Sequence, residues 1–290
     1  MSSISEIRHR IKAVEDTRKI TRAMFLIASA KMQKAMKMHE RNLPYLRRIS
    51  QDMRYIIENT GARAHSPYFA HRPLNRAVYL VIAGDKGMCG AYNEEVLRLA
   101  DATIQADGRE RVSVFTIGLM AYSHFARLGM APDIHYLHVA QNPNLQSSRE
   151  ITLELCDMYN RNLFDDAYII FTNMLASRTL RPEVIRLLPI LEEDFADVEP
   201  LHGRALEMEY VPSEEAALAA LVPQHLIGLV YSACAQAYAS EQSARMMAMD
   251  ASTRNADEML LKLNTEHNRA RQAAITQELT EIIAGANSVL

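Results

Sequence analysis

The stretch Gly84-Asp85-Lys86-Gly87-Met88-Cys89-Gly90 comes nearest to a recognisable chemistry in this chain of 290 residues. A glycine-rich turn ahead of a helix can offer backbone N–H groups and a lysine to a phosphate. The spacing argues against that here. A Walker loop needs Gly-Lys followed by Ser or Thr, and Lys86 is followed by Gly87; G-x-x-G-x-x-G is not the dinucleotide fingerprint either. The plainer reading is a tight strand-to-helix turn whose glycines supply positive φ. The other candidates are weaker. His65 and His71 flank a loop, and His135 and His138 sit three apart on one candidate strand, on opposite faces. No set of histidines has metal-ligand spacing, so no metal is expected. Asp165-Asp166 and Glu192-Glu193-Asp194 read as solvated loop carboxylates. No Ser/His/Asp or Cys/His arrangement offers a nucleophile, so no catalytic centre and no cofactor are expected. Cys89, Cys156 and Cys234 are odd in number and far apart, as free thiols in a reducing compartment would be.

The net charge of −3 hides an uneven distribution. Residues 1–50 hold twelve Lys/Arg against four Asp/Glu, whereas residues 190–220 hold nine Asp/Glu and only Arg204. The basic arm (Arg8, Arg10, Lys12, Arg18, Lys19, Arg22, Lys31, Lys34, Lys37) has no interleaved aromatics. It reads either as a solvated helix face or as a track for an acidic protein surface; nucleic acid is the weakest of its possible partners. No run of eighteen uncharged apolar residues exists, so no membrane span is expected.

The elements that carry these residues follow from periodicity. From Ile4 a heptad step gives Ile4, Ile7, Ile11, Val14, Arg18, Thr21, Phe25, Ala28, Met32, Ala35, His39, Asn42, Leu46, Ile49, Met53, Ile56, mostly apolar. Ser3 or Ser5 would cap this helix, Pro44 should kink or break it, and Asn59-Thr60-Gly61 should end it. Ser213 to Leu290 reads as one long helix, with the seam Ala239, Gln242, Met246, Met249, Thr253, Ala256, Leu260, Leu263, His267, Ala270, Ala274, slipping to Ile275, Leu279, Ile282, Ala286, Val289. Such a helix needs a partner along its apolar side, and the two seams supply each other as an antiparallel coiled coil. Between them, strands at Ala77–Ala83, Val112–Ile117 and Ala167–Thr172 alternate with helices at Asn93–Gln105, Leu119–Leu128 and Ser147–Asn160, the last capped by Ser147 or Ser148. Weaker strands are Ile134–Val139, Val184–Leu188 and Leu206–Tyr210. Alternation of this kind means βαβ units. The fold class is therefore a long antiparallel coiled coil of terminal helices plus a small, mostly parallel, Rossmann-like α/β domain. The expected divisions are 1–60, 75–210 and 211–290.

Three blocks carry a resemblance. They are Ile20-Thr21-Arg22-Ala23-Met24 on to Ala28-Ser29-Ala30-Lys31-Met32; Gly84 through Asn93; and Ala239-Ser240-Glu241-Gln242-Ser243-Ala244-Arg245-Met246 on to Asn255-Ala256 and Asn268 through Leu279. Together they resemble the gamma subunits of F-type ATP synthases, the central rotor stalk. The resemblance implies a coiled coil inside a hexamer of alpha and beta subunits. It implies an α/β domain that sits with the epsilon subunit on the membrane c-ring. The chain would then be no enzyme by itself but would couple proton or sodium flow to catalysis in the beta subunits. It would be peripheral to a bacterial plasma membrane on its cytoplasmic side, since no transit peptide is visible. By the same resemblance Met24, Arg245, Gln272, Thr276 and Glu278 match positions of stalk–beta contact and coupling, and Lys86 and Cys89 match a loop facing the lower part of beta. Residues 100–210 match only in layout, which leaves the epsilon and c-ring contacts unassigned. A free-standing coiled-coil adaptor and a small α/β enzyme with helical arms are the alternatives.

Overall fold

In the strand β1 (Arg76–Ile82) the side chains alternate between two apolar faces. Ala77, Tyr79 and Val81 pack against Val96, Leu97 and Ala100 of α2 (Tyr92–Asp107) and Ala121 and Phe125 of α3 (Leu119–Arg127). Val78, Leu80 and Ile82 turn the other way, into a larger core with Ile151, Leu155 and Tyr159 of α4 (Leu145–Asn160). A strand buried on both faces is what a parallel sheet between helical layers requires. The computed structural model describes residues 4–62, 66–69, 72, 75–108, 111–175, 179–200 and 210–287, with side chains to 284.

Five strands lie in the order β3-β2-β1-β4-β5, with β2 at Arg111–Ile117, β3 at Ile134–Tyr136, β4 at Asp166–Met174 and β5 at Leu180–Leu188. The first four are parallel, and β5 joins β4 antiparallel. Several expectations need correction. β3 stops before His138, whose φ of 63° breaks the extended backbone, so His135 and His138 do not share a strand. β5 starts four residues earlier than Val184; Pro182 obscures it, and an edge strand tolerates that proline. Helix α4 is capped by Asn144, whose side chain accepts from Ser147 N–H at 2.9 Å, so the serines stand inside the first turn. Of the segment Leu206–Tyr210, residues 206–209 lie outside the described residues, as do His65, His71 and Ser3, and Tyr210 is not in a strand.

The terminal helices are α1 (Ile4–Asn59) and α5 (Glu214–Asn287). Helix α1 does not break at Pro44. Both Pro44 and Glu40, whose carbonyl loses its donor, are exposed, which leaves that carbonyl to water. Ser213 caps α5 by accepting from Ala216 N–H. By length and composition α5 holds a window apolar enough to cross a bilayer. Its residues Leu218, Val222, Leu226, Val230 and Ala233 are buried in the core beneath the sheet.

The chain divides into two compact units, residues 30–244 and residues 1–29 with 245–290. In the first, the α1 and α5 segments run antiparallel. Asn42 donates to the Gly228 carbonyl at 2.9 Å and His39 meets Ser232 at 2.7 Å. Gly228 permits this approach, since a methyl there would fall 2.5 Å from Leu46 Cδ2. In the second, the helices are again antiparallel, with Thr21 and Thr253 hydroxyls 2.8 Å apart in the buried seam and Arg18 paired to Asp257 at 2.9 Å. Every position of the α1 seam is buried or half-buried, with the Arg18 side chain reaching out of the seam to Asp257. The α5 seam stays covered to Ala274 and there ends. Ile275, Leu279 and Ile282 are not a slipped continuation of it but are 49%, 55% and 68% exposed. The antiparallel register puts the described start of α1, Ile4, beside Ala270, so these residues lie past the described part of α1.

Candidate functional site

Strand order places a topological switch point between β1 and β4, where doubly wound folds bind ligands outside the carboxyl ends of the strands. Here that crevice is filled by the chain's own helix. Ser240 Oγ of α5 donates to the Thr172 carbonyl at 2.9 Å, and the Gln236 side-chain oxygen accepts from Met174 N–H at 3.3 Å. Ser240, Glu241, Gln242 and Ser243 are all buried. The Gly84–Gly90 turn closes over the end of β1 against this run. The turn is a hydrogen-bonded unit and not a phosphate cradle. Gly84 N–H donates to Asn93 Oδ1 at 2.8 Å, Leu119 N–H to Asp85 Oδ1 at 2.9 Å, and Met120 N–H to the Gly84 carbonyl at 3.0 Å. Positive φ falls on Met88 (59°) and Gly90 (57°). Lys86 is exposed, while Cys89 is 1% exposed and packs with Tyr92 and Ala244.

The carboxylate clusters serve structure. Asp165 and Asp166 are not solvated: they are 3% and 8% exposed, and Asp165 accepts from Arg76 N–H at 3.0 Å at the start of β1. The carboxylate belongs there because the first amide of a strand needs an acceptor. Asp194 accepts from Leu191 N–H at 2.8 Å, and Arg186 reaches both Glu193 and Asp194. Burial also governs the titrating groups. It pushes the Cys156 and Cys234 thiols up to about 11 and about 12, which keeps both protonated at neutral pH. His225 is held down to about 4 by burial, against the opposing charge of Asp194; its ring lies beside Ser50 Oγ and Phe195.

In the unit of residues 1–29 and 245–290, Met24 and Arg245 are half-buried, and Gln272, Thr276 and Glu278 are exposed on α5, past the described part of α1. The Thr276 hydroxyl donates to the Gln272 carbonyl. Of the basic arm, Arg18 is engaged with Asp257 and Lys19 with Asp16, whereas Lys12, Arg22, Lys31, Lys34 and Lys37 are exposed. The structure thus brings the Gly84–Asn93 block against the Ala239–Ala244 block, which are far apart in sequence. Asn93, which ties the loop to itself, and Glu241, which closes on Gly84 from α5, are not among the residues that the sequence alone singles out. The available signal was a run of four polar residues, Ser-Glu-Gln-Ser, inside an alanine-rich helix: polar residues on every face imply polar partners or water on every face.

Comparison with known proteins agrees with this architecture. The ATP synthase family model matches residues 3–289. The gamma chain of ATP synthase from Ruminiclostridium cellulolyticum is 38% identical, with 99% of each chain covered. That of Caldanaerobacter subterraneus is 38% identical over 97% of this chain and 98% of its own. A sodium-ion-specific gamma chain from Acetobacterium woodii is 32% identical, with 99% of each covered. Among solved structures, a chain of the Euglena gracilis mitochondrial ATP synthase, from its OSCP/F1/c-ring assembly, superposes with a TM-score of 0.64. It is 17% identical, and the match covers 99% of this chain and 94% of that one. With full-length identity at this level, and with paired terminal helices and a four-parallel, one-antiparallel sheet, the chain belongs to the ATP synthase gamma-chain family.

Proposed function

We propose that this chain is the rotor shaft of an F-type ATP synthase, with no catalytic site of its own. The observation that carries the reading is the far stretch of α5, where Ile275, Leu279, Ile282 and Ile283 are exposed past the described part of α1. A bare helix with exposed apolar side chains asks for an enclosing protein surface. A hexamer of alpha and beta subunits supplies one, with Gln272, Thr276 and Glu278 beside those side chains and Met24 and Arg245 further along the same unit. The sheet unit meets the epsilon subunit and the c-ring, and Lys86 faces a beta subunit. The complex stands on the cytoplasmic side of a bacterial plasma membrane. The exposed lysines Lys31, Lys34 and Lys37 slide past acidic loops of the ring with little fixed geometry. An asymmetric shaft in a near-threefold ring favours a different conformation in each catalytic subunit, because its contact free energy differs among them. Two helices sharing a seam also resist twisting better than one.

The test is truncation after Glu266 in the assembled enzyme. Coupled ATP synthesis in vesicles should fall about tenfold, as expected when about 1.4 kcal/mol of differential contact is removed, while residues 30–244 keep their protease resistance. Full coupled activity in the truncated enzyme would refute the torque role of this end.

A further inference from the structure

The glycine loop is fastened to α5 by more than its own turn. Asn93, in the first turn of α2, accepts from Gly84 N–H at 2.8 Å and directs its amide nitrogen at the Lys86 carbonyl, 3.3 Å away, and at Cys89 Sγ, 3.2 Å away. One side chain therefore ties the start, middle and end of the loop together. From the other side, Ala237, Glu241 and Ala244 of α5 stand four and three residues apart and so share one helix face. The Ala237 carbonyl accepts from the Tyr92 hydroxyl at 3.1 Å, and Ala244 packs on Cys89 and Tyr92. Between them the Glu241 carboxyl closes on Gly84: a methyl on Gly84 would lie 3.1 Å from Glu241 Cδ and 3.1 Å from Asn93 Oδ1. Glu241 is 5% exposed, and a buried carboxyl is costly wherever simple packing would do.

We propose that Asn93 and Glu241 are positioning residues that make the Gly84–Gly90 loop a rigid outgrowth of α5, so that Lys86 turns with the shaft helix. The functional consequence rests on Lys86 being a contact with a beta subunit; the latch itself does not. The three buried thiols give a direct test. In the full-length chain, N-ethylmaleimide labelling read peptide by peptide should find all three slow. In Asn93→Ala and in Gly84→Ala, Cys89 should label about tenfold faster through local opening, with Cys156 and Cys234 still protected. Cys89 unchanged in both variants, or all three thiols opening together, overturns the latch. In the assembled enzyme, Lys86→Gln and Asn93→Ala should each lower coupled synthesis, and the double variant should lose no more than the worse single one, as for residues acting through each other. Additive losses overturn the positioning role. If Lys86→Gln alone leaves synthesis intact while the Cys89 result holds, the beta contact of Lys86 fails and the latch stands.

Discussion

Helix α5 meets two opposite environments. Between Leu218 and Ala244 nearly every face is covered, including four consecutive polar residues. From residue 271 to 284 nearly every side chain is exposed, including Ile275, Leu279, Ile282 and Ile283. Both stretches are good helix, and both carry large aliphatic residues. The difference lies in the surroundings. In the first stretch α5 has α1, the sheet and the glycine loop around it; the second lies past the described part of α1. A covered aliphatic residue stabilises the fold, whereas an exposed one is available to a partner.

The sharpest way to break this contrast is a matched pair of truncations to alanine. Leu226→Ala should cost about 2–5 kcal/mol in chemical denaturation, because Leu226 is 2% exposed. Leu279→Ala should stay within about 0.5 kcal/mol and act instead on assembly with the alpha and beta subunits. Equal effects on stability would erase the distinction. The buried side has a pH signature too. His225 is ordinarily near 6.5 and is held to about 4 in the fold. The unfolded chain therefore binds the extra proton, and stability should decline as pH drops from about 6.5 to about 4, by up to about 3 kcal/mol in total. Denaturation midpoints across that window should show the slope, and His225→Gln should flatten it.

A smaller effect concerns the seam of residues 1–29 and 245–290. Thr253→Val should cost about 0.5–1.5 kcal/mol by removing the Thr21–Thr253 hydrogen bond, since the Thr21 hydroxyl keeps the Arg18 carbonyl as acceptor at 3.1 Å, and Thr21→Val/Thr253→Val should cost less than the sum of the two singles. Equilibrium unfolding of the two singles and the double gives the cycle. The smallest effect belongs to the exposed Arg18–Asp257 pair: Asp257→Asn should change stability by less than about 1 kcal/mol, and high salt should abolish the difference.

Much of the fold was legible because its elements obey local rules. The α1 seam from Ile4 to Ile56 turned inward apart from Arg18, whose side chain reaches out to Asp257, and the three apolar runs became β1, β2 and β4. What misled were residues with a local meaning that the fold overrides. Pro44 reads as a helix break, yet it stands on an exposed face where one lost hydrogen bond is replaceable. Asp165-Asp166 read as surface, yet one carboxylate supplies the acceptor that the first amide of β1 lacks. Pro182 reads against a strand, yet β5 is an edge. Of the candidate site, Lys86, Gln272, Thr276 and Glu278 are exposed, Met24 and Arg245 are half-buried, and Cys89 lies inside.

The sequence by itself determined the two long seams, their polar interruptions and the βαβ rhythm between them, because period and turn chemistry act over a few residues. Only the tertiary structure decided that α5 fills the switch point of the sheet, that Asn93 and Glu241 close on the glycine loop, and that the aliphatic residues from Ile275 onward stay exposed. Each of those depends on where residues distant in sequence come to lie, and no local pattern encodes that distance.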